Sequence, residues 1–97
     1  INDVIIDPGF GFSKTVDQNF LLLKELTKFN ITDVPLLVGI SRKSMIYKSL
    51  NTDPANVLPA TNALHMYALQ KGANILRVHD VKEALQVVQM FLKINES

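Results

Sequence analysis

The sequence predicts an α/β fold in which parallel strands alternate with helices. Three short aliphatic segments begin near residues 3, 35 and 73, and each is almost uncharged until its end. A spacing of about 30 to 40 residues is typical of βα units, and strands joined through helices pair in parallel with right-handed crossovers. Two architectures therefore fit, a doubly wound open sheet and part of a (β/α)8 barrel. Three strands alone would leave two open sheet edges, so we expect a piece of a larger fold.

The first unit is a strand, a loop and an amphipathic helix. Residues 4–6 are all β-branched and predict a short strand buried on both faces. Helical spacing begins near Val16, and Asn30 is a suitable stop. The predicted apolar stripe of this helix consists of Val16, Phe20, Leu22, Leu23, Leu26 and Thr27.

The second unit begins with a strand over residues 35–40, in which proline is confined to the first position. Ser44 is predicted to cap a short helix that continues through Tyr47 and Leu50. A longer helix is predicted from Pro59 to Lys71, with Gly72 at its C′ position. Its predicted apolar face consists of Ala60, Ala63, Leu64, Tyr67 and Ala68.

The third unit has a strand over residues 73–78 and a last helix that Asp80 is predicted to cap. Helical spacing predicts an apolar stripe on that helix made of Val81, Ala84, Leu85, Val88, Phe91 and Leu92.

Composition excludes several classes of function. A net charge of +1 gives no electrostatic argument for nucleic acid. No apolar run approaches the roughly 20 residues that span a bilayer, so we expect no membrane partner. The chain has no cysteine, which suits a reducing compartment such as the cytoplasm. It opens Ile1-Asn2-Asp3 without an initiator methionine or a basic leader, and we expect it to be a fragment of a longer protein.

Ionisable residues collect where the predicted strands end. In both candidate architectures, ligands bind at the C-terminal ends of parallel strands. The segments that follow the strands are residues 7–12, 41–44 and 77–80, and they place Asp7, Arg42, Lys43, Arg77 and His79 on one rim. Such clustering indicates a functional site.

Two interpretations of the first loop are open. Asp7 could close a Pro-Gly turn through an Asx bond, or it could accept two hydrogen bonds from a heterocycle that presents paired N–H donors. Gly9 and Gly11 could serve only to permit positive φ, or they could let the backbone approach a flat ring. The Gly-x-Gly pattern lacks the further residues of a phosphate-binding loop.

The other two loops carry cations next to predicted helix starts. Arg42 and Lys43 could be solvated charges or could face an anion. Arg77 and His79 alternate about Val78, and we favour an oxyanion site there over a structural pair. His65, in mid-helix, is interpreted as structural, and Lys14 as a loop charge that can add to the positive rim.

Neither a Ser-His-Asp order nor metal-ligand spacing is present, so no metal site is expected within the chain. The residues suit binding and electrostatic positioning rather than covalent catalysis.

Three segments together resemble bacterial dihydropteroate synthase. Residues 5–15 (IIDPGFGFSKT) resemble its sixth-strand motif, residues 35–44 (PLLVGISRKS) its seventh and residues 77–81 (RVHDV) its eighth. The order and spacing agree over essentially the whole chain. The resemblance implies that residues 1–97 form a single C-terminal fragment, three βα units of a pterin-binding (β/α)8 barrel. That family condenses 6-hydroxymethyl-7,8-dihydropterin pyrophosphate with p-aminobenzoate in folate biosynthesis, and sulfonamides inhibit it.

The resemblance also implies roles for individual residues. Asp7 would bind the pterin, and Lys43 would bridge the two substrates. Arg77 would stack on the pterin and contact pyrophosphate, and His79 would bind pyrophosphate. The remaining implied substrate contacts are Ser44 with the p-aminobenzoate carboxylate, Phe12 with its ring, and Gly11 and Gly39 beside the pterin.

The rest of the implied protein has further properties. It would be a homodimer, and Mg²⁺ would accompany the pyrophosphate mainly through residues absent from this chain, so the fragment alone is expected to be inactive. Two alternatives are kept, a pterin-binding methyltransferase domain and a non-enzymatic phosphate-binding α/β module. The first needs no pyrophosphate site, and the second would not prefer pterins to other anions.

Overall fold

The computed structural model describes residues 5–11, 14–31 and 33–96, and in these ranges helices alternate with short parallel strands. The helices are α1 (Val16–Lys24), α2 (Ser44–Ser49), α3 (Leu58–Gln70) and α4 (Val81–Asn95), and the strands are β1 (Leu37–Val38) and β2 (Ile75–Leu76). Single 3₁₀ turns cover Leu26–Phe29 and Pro54–Asn56. No helix within these ranges is long and apolar enough to cross a membrane.

The strands pair in parallel, as predicted. Leu37 lies opposite Ile75, and Val38 lies opposite Leu76. On the other edge of β1, Ile6 forms a parallel bridge with Leu36, and the Leu37 amide donates to the Ile6 carbonyl at 2.8 Å. The three segments therefore lie side by side in chain order, and their C-terminal ends share one edge of the sheet.

The core lies between this sheet and the helices. Helix α1 packs beside α2, and α3 beside α4. The fully buried apolar side chains come from both layers and include Phe10, Leu26, Leu36, Val38, Ile40, Met45, Ile46 and Val57. The prediction of a buried second strand is confirmed.

Burial of the first strand on both faces was predicted wrongly. The Ile5 side chain is 51% exposed, and Ile6 is only partly buried. Among the described residues this segment has a strand neighbour only on the β1 side, so its other edge has no strand beside it to shield Ile5. Val4 lies outside the described residues.

Two predicted helix features also differ. Helix α1 ends at Lys24, and the chain continues as a 3₁₀ turn rather than as α-helix to Asn30. The buried face of α3 is offset from the predicted stripe, because Ala63 is exposed and the buried residues of α3 are Thr61, His65, Ala68 and Leu69. Periodicity locates an apolar stripe, but the packing partner decides which edge of that stripe is covered.

Helix α4 keeps its predicted amphipathic pattern without the predicted burial. Ala84 is its buried residue, whereas Val81, Leu85 and Leu92 each expose more than half of their surface. The sequence predicted the face correctly, but the described residues cover only its edge next to α3.

Candidate functional site

In the first loop, residues 7–12, the Asp7 side chain accepts a hydrogen bond from the backbone of the same loop. Asp7 Oδ1 accepts a hydrogen bond from the Gly9 amide at 3.0 Å, which is the Asx turn that the sequence allowed. Gly9 and Gly11 have φ values of 78° and 91°, a region that side chains rarely adopt. Asp7 Oδ2 lies 3.8 Å from Arg77 Nη1. The turn therefore uses one carboxylate oxygen and leaves the other facing the third loop.

A buried asparagine that the sequence analysis missed supports the same loop. Asn19 Oδ1 accepts from the Gly11 amide at 2.8 Å, and its Nδ2 donates to the Thr15 carbonyl at 3.0 Å. Lys14 Nζ donates to the Gly9 carbonyl at 2.9 Å. The sequence did offer a signal for Asn19, since it is a polar residue on the buried side of a predicted amphipathic helix that follows a glycine-containing loop.

Lys43 connects the second loop to the first. Its Nζ donates to the Phe10 carbonyl at 2.6 Å, and a Cβ at Gly11 would lie 3.3 Å from Lys43 Cδ. Partial burial lowers the pKa of the Lys43 ammonium, and the positive charge of Arg77 lowers it further. The Lys43 ammonium is therefore partly desolvated, is held in place by the Phe10 carbonyl, and lies near the charges of Asp7 and Arg77.

Arg42 does not contribute to the open anion site that the sequence suggested. Its Nε donates to Asp80 Oδ2 at 2.8 Å and its Nη2 to Asp80 Oδ1 at 2.9 Å. The prediction that Asp80 caps α4 is confirmed for its position but wrong for its side chain, which pairs with Arg42 instead. Asp80 occupies the cap position of α4, but its side chain makes no capping bond. A bidentate guanidinium is the stronger partner for a carboxylate.

The Arg77 side chain lies against Gly39, the residue that directly follows β1. A Cβ at Gly39 would lie only 2.7 Å from Arg77 Nη2 and 3.0 Å from Nε. Gly39 is buried, whereas the Arg77 side chain is 56% exposed. The glycine therefore makes room for a guanidinium that lies close to the strand and is open to solvent.

His79 is held by a buried serine. Its backbone amide donates to Ser41 Oγ at 3.3 Å, and its Nδ1 lies 2.9 Å from the same oxygen. In the tautomer in which the Ser41 hydroxyl donates to Nδ1, the proton is on Nε2, which can then donate to an anion. Ser41, which sequence reasoning also missed, thus orients the imidazole.

A cavity of about 440 Å³ adjoins these groups, and Ser44 lies in its wall. The predicted N-cap role of Ser44 is wrong, because α2 begins at Ser44 and its N-cap is Lys43. The lining residues are Phe10, Gly11, Arg42, Lys43, Ser44, Tyr47 and Pro54.

The sequence-predicted residues therefore form two adjoining parts. Asp7, Gly39 and Arg77 form the first part, and Lys43 lies between it and the cavity that contains Ser44. His79 follows Arg77 on the same rim. Phe12 lies outside the described residues. His65 is 1% exposed in the core, in agreement with its structural interpretation.

Metal-ligating side chains do not converge in the described part of the chain. No group of three His, Cys, Asp or Glu side chains in residues 5–11, 14–31 and 33–96 could hold a metal ion. These residues do not fit a resident Mg²⁺ ion.

A protein-family comparison decides the assignment. The model described as "Pterin binding enzyme" matches residues 1–79. The chain belongs to the pterin-binding enzyme family. The matched range contains Asp7, Gly39, Lys43, Arg77 and His79, so the family match and the rim described above coincide.

Individual members of this family agree with the assignment. The chain is 45% identical over 97 residues to the dihydropteroate synthase of Escherichia coli K12, covering 97% of this chain and 34% of that protein. It is 40% identical to the Helicobacter pylori bifunctional dihydropteroate synthase/dihydropteroate reductase, covering 100% and 26%. The chain thus spans about a third of the length of the E. coli protein and about a quarter of that of the H. pylori protein.

Solved structures confirm the fold. The Yersinia pestis dihydropteroate synthase, solved with a sulfonamide drug complex, superimposes with a TM-score of 0.93 at 38% identity, covering 99% of this chain and 35% of that one. The Vibrio fischeri 7,8-dihydropteroate synthase gives 0.90 at 43% identity, covering 96% and 34%. These relatives are (β/α)8 barrels, and this family member has the fold of part of such a barrel, as predicted.

Proposed function

We propose that this chain supplies one wall of the active site of a dihydropteroate synthase. The convergence of Asp7, Lys43 and Arg77 at the C-terminal edge of three parallel segments carries the proposal, together with the family match. The reaction joins 6-hydroxymethyl-7,8-dihydropterin pyrophosphate to p-aminobenzoate in folate biosynthesis. The chain spans about a third of its relatives, so this activity is proposed for the complete protein.

The pterin is proposed to lie at Asp7. Its amino-pyrimidine edge presents neighbouring N–H donors, and a carboxylate can accept two such bonds in one plane. Each carboxylate oxygen has two acceptor positions, so the bond from Gly9 to Oδ1 leaves capacity for the ligand. The Arg77 guanidinium, close above Gly39, offers a flat cation on which the ring can stack.

The proposed reaction requires stabilisation of the charges that develop on the pterin and on pyrophosphate, and it requires no nucleophile from the protein. When the C–O bond to pyrophosphate breaks, the pterin methylene becomes cationic, and the Asp7 carboxylate stabilises that charge. Arg77 and His79 hold the departing anion. The neutral arylamine then forms the C–N bond and loses a proton. Groups preorganised for developing charge supply such catalysis.

The p-aminobenzoate is proposed to occupy the 440 Å³ cavity. Lys43 and Ser44 can bind its carboxylate, and Lys43 also lies next to the pterin side. Sulfonamides, which mimic p-aminobenzoate, would compete there. We further propose a cytoplasmic homodimer and a Mg²⁺ ion that arrives with the pyrophosphate, its protein ligands lying outside this chain.

A chimeric enzyme tests the function. In it, this chain replaces the matching 97-residue segment of the E. coli synthase. We expect the chimera to form dihydropteroate. Asp7→Asn should lower kcat/KM by about a hundredfold, whereas Glu25→Gln, in a solvent-exposed pair with Lys28, should not.

The alternatives give different results in the same series. A folded but inactive chimera would contradict the proposal. A methyltransferase-type domain would bind a pterin equally well with and without its pyrophosphate in calorimetric titration. A phosphate-binding module would bind inorganic pyrophosphate as tightly as the pterin ester.

A further inference from the structure

The Arg42–Asp80 pair joins the two loops that carry the proposed substrate-binding cations. Both carboxylate oxygens of Asp80 accept from the Arg42 guanidinium, at 2.8 and 2.9 Å. The third guanidinium nitrogen, Nη1, donates to the Pro54 carbonyl at 2.6 Å. The two side chains are only 24% and 23% exposed. All three nitrogens of Arg42 are thus engaged within the protein.

The Arg42–Asp80 pair lies next in sequence to two of the proposed substrate-binding residues. Arg42 directly precedes Lys43, and Asp80 directly follows His79. Ser41, on the other side of Arg42, contacts both the amide and Nδ1 of His79. The two loops are therefore joined twice, by an ion pair and by a serine hydroxyl, at the residues that flank Lys43 and His79.

The backbone shows that this arrangement is imposed by tertiary contacts. Arg42 has φ +54°, a left-handed conformation that is uncommon for a residue with a side chain. Its amide donates to Thr61 Oγ1 at 3.3 Å. Asp80 stands at the N-cap of α4 without capping it, so its carboxylate is committed to Arg42. Local preferences at both positions are overridden in favour of the link.

We propose that Arg42 and Asp80 are positioning residues that set the separation of Lys43 and His79. On the proposed synthase function, this fixes the distance between the p-aminobenzoate cavity and the pyrophosphate side of the site. Asp80 does not line the p-aminobenzoate cavity, and Arg42 borders it with its guanidinium nitrogens already engaged by Asp80 and the Pro54 carbonyl. The pair also neutralises Arg42, so the net positive charge of the rim comes from Lys43, Arg77 and Lys14.

The test is a double-mutant cycle in the chimeric enzyme. Asp80→Asn keeps the side-chain shape and removes its charge, and Arg42→Lys keeps the charge and removes the bidentate fork. We expect each variant to lower kcat/KM about tenfold, with a raised KM for p-aminobenzoate. The double variant should be no worse than either single variant, because both remove one link. Glu25→Gln is the matched ion-pair control and should leave all constants unchanged.

A purely structural pair would give another result. It would lower the thermal midpoint and the active fraction while leaving both KM values unchanged, and that outcome would overturn the proposal. Additive losses in the double variant would also overturn it.

A second measurement separates this proposal from the synthase assignment. In ¹⁵N NMR spectra of the 97-residue chain, Asp80→Asn should shift the amides of Lys43 and Ser44, more than 30 residues away in sequence. Those shifts with an inactive parent chimera would support the link and refute the synthase function. Unchanged Lys43 and Ser44 resonances would refute the link itself.

Discussion

At the scale of single residues, the site depends on small or polar side chains that leave room for charged ones. Gly39 admits the Arg77 guanidinium, and Asn19 and Ser41 hold a loop amide and an imidazole in place. The sequence indicated the charged residues through their position after each strand. It indicated their supports only weakly, because Asn19 showed as one polar residue on the buried side of a predicted helix and Ser41 as one residue of a polar loop.

Gly39→Ala should move Arg77 without unfolding the protein. The added Cβ would come within 2.7 Å of Arg77 Nη2, and the flexible side chain can swing outward. In the chimeric enzyme we expect roughly tenfold weaker binding of the pterin pyrophosphate, a modest loss typical of displacing one charged contact. Calorimetric titration measures it, and unchanged affinity would show that Arg77 does not contact this ligand.

His65 should make the protein sensitive to mild acid. It is 1% exposed, and neither ring nitrogen has a hydrogen-bond partner in the described residues. Burial lowers its pKa, an effect that the Asp80 charge opposes. The unfolded chain binds a proton near the ordinary value of 6.5, and the folded chain only at lower pH. Stability should therefore fall as pH drops below about 6.5.

Urea unfolding of the chain between pH 8 and 4.5 measures this effect. His65→Leu should flatten the loss below about pH 6.5, because leucine has no group that takes up a proton on unfolding. The Arg42 hydrogen bond lowers the pKa of Asp80, so the stability from that carboxylate is lost only as pH falls below about 3.8, in a separate window. An equal acid slope in both proteins would contradict the assignment to His65.

At the scale of elements, helix starts separate what local sequence decides from what it does not. Thr15 and Gln18 form a capping box at α1, which depends on residues three apart and needs nothing else. Ser44 and Asp80 have capping chemistry too, yet neither caps a helix. The Asp80 carboxylate binds Arg42 instead of the α4 backbone. Helix α2 begins at Ser44 itself, one residue too early for Ser44 to be its N-cap.

Thr15→Ala should destabilise the chain through α1. It removes a hydrogen bond of 3.1 Å from the Gln18 amide, and loss of such a cap costs about 0.5–2 kcal/mol of unfolding free energy. Urea unfolding at neutral pH measures it. Thr27→Ala, at an exposed position in the 3₁₀ turn, is the control and should change the free energy little. Equal effects at the two positions would exclude a specific capping contribution.

At the scale of the whole molecule, the proposed site is a wall open to water. The Asp7 side chain is 38% exposed, and Arg77 more so. Electrostatic stabilisation weakens in such a setting, because water screens the charges that act on the transition state. The chain should therefore bind the substrates weakly and turn them over poorly without the rest of a barrel.

A turnover assay tests this difference. The purified 97-residue chain should give no pteroate above the uncatalysed rate, whereas the chimeric enzyme should be active with the same residues. A rate for the isolated chain near that of the E. coli synthase would show that one wall suffices.

The sequence by itself determined the order of elements, the parallel pairing and the rim that carries Asp7, Lys43, Arg77 and His79. Aliphatic runs, helical periodicity and charge at strand ends are local signals, and right-handed crossovers leave few ways to connect them. Only the tertiary structure decided that Arg42 pairs with Asp80, that Gly39 makes room for Arg77, and that the face of α4 stays exposed. Those outcomes depend on contacts between side chains that are far apart in sequence, such as Arg42 and Asp80, which are 38 residues apart. A local sequence pattern contains no information about such contacts.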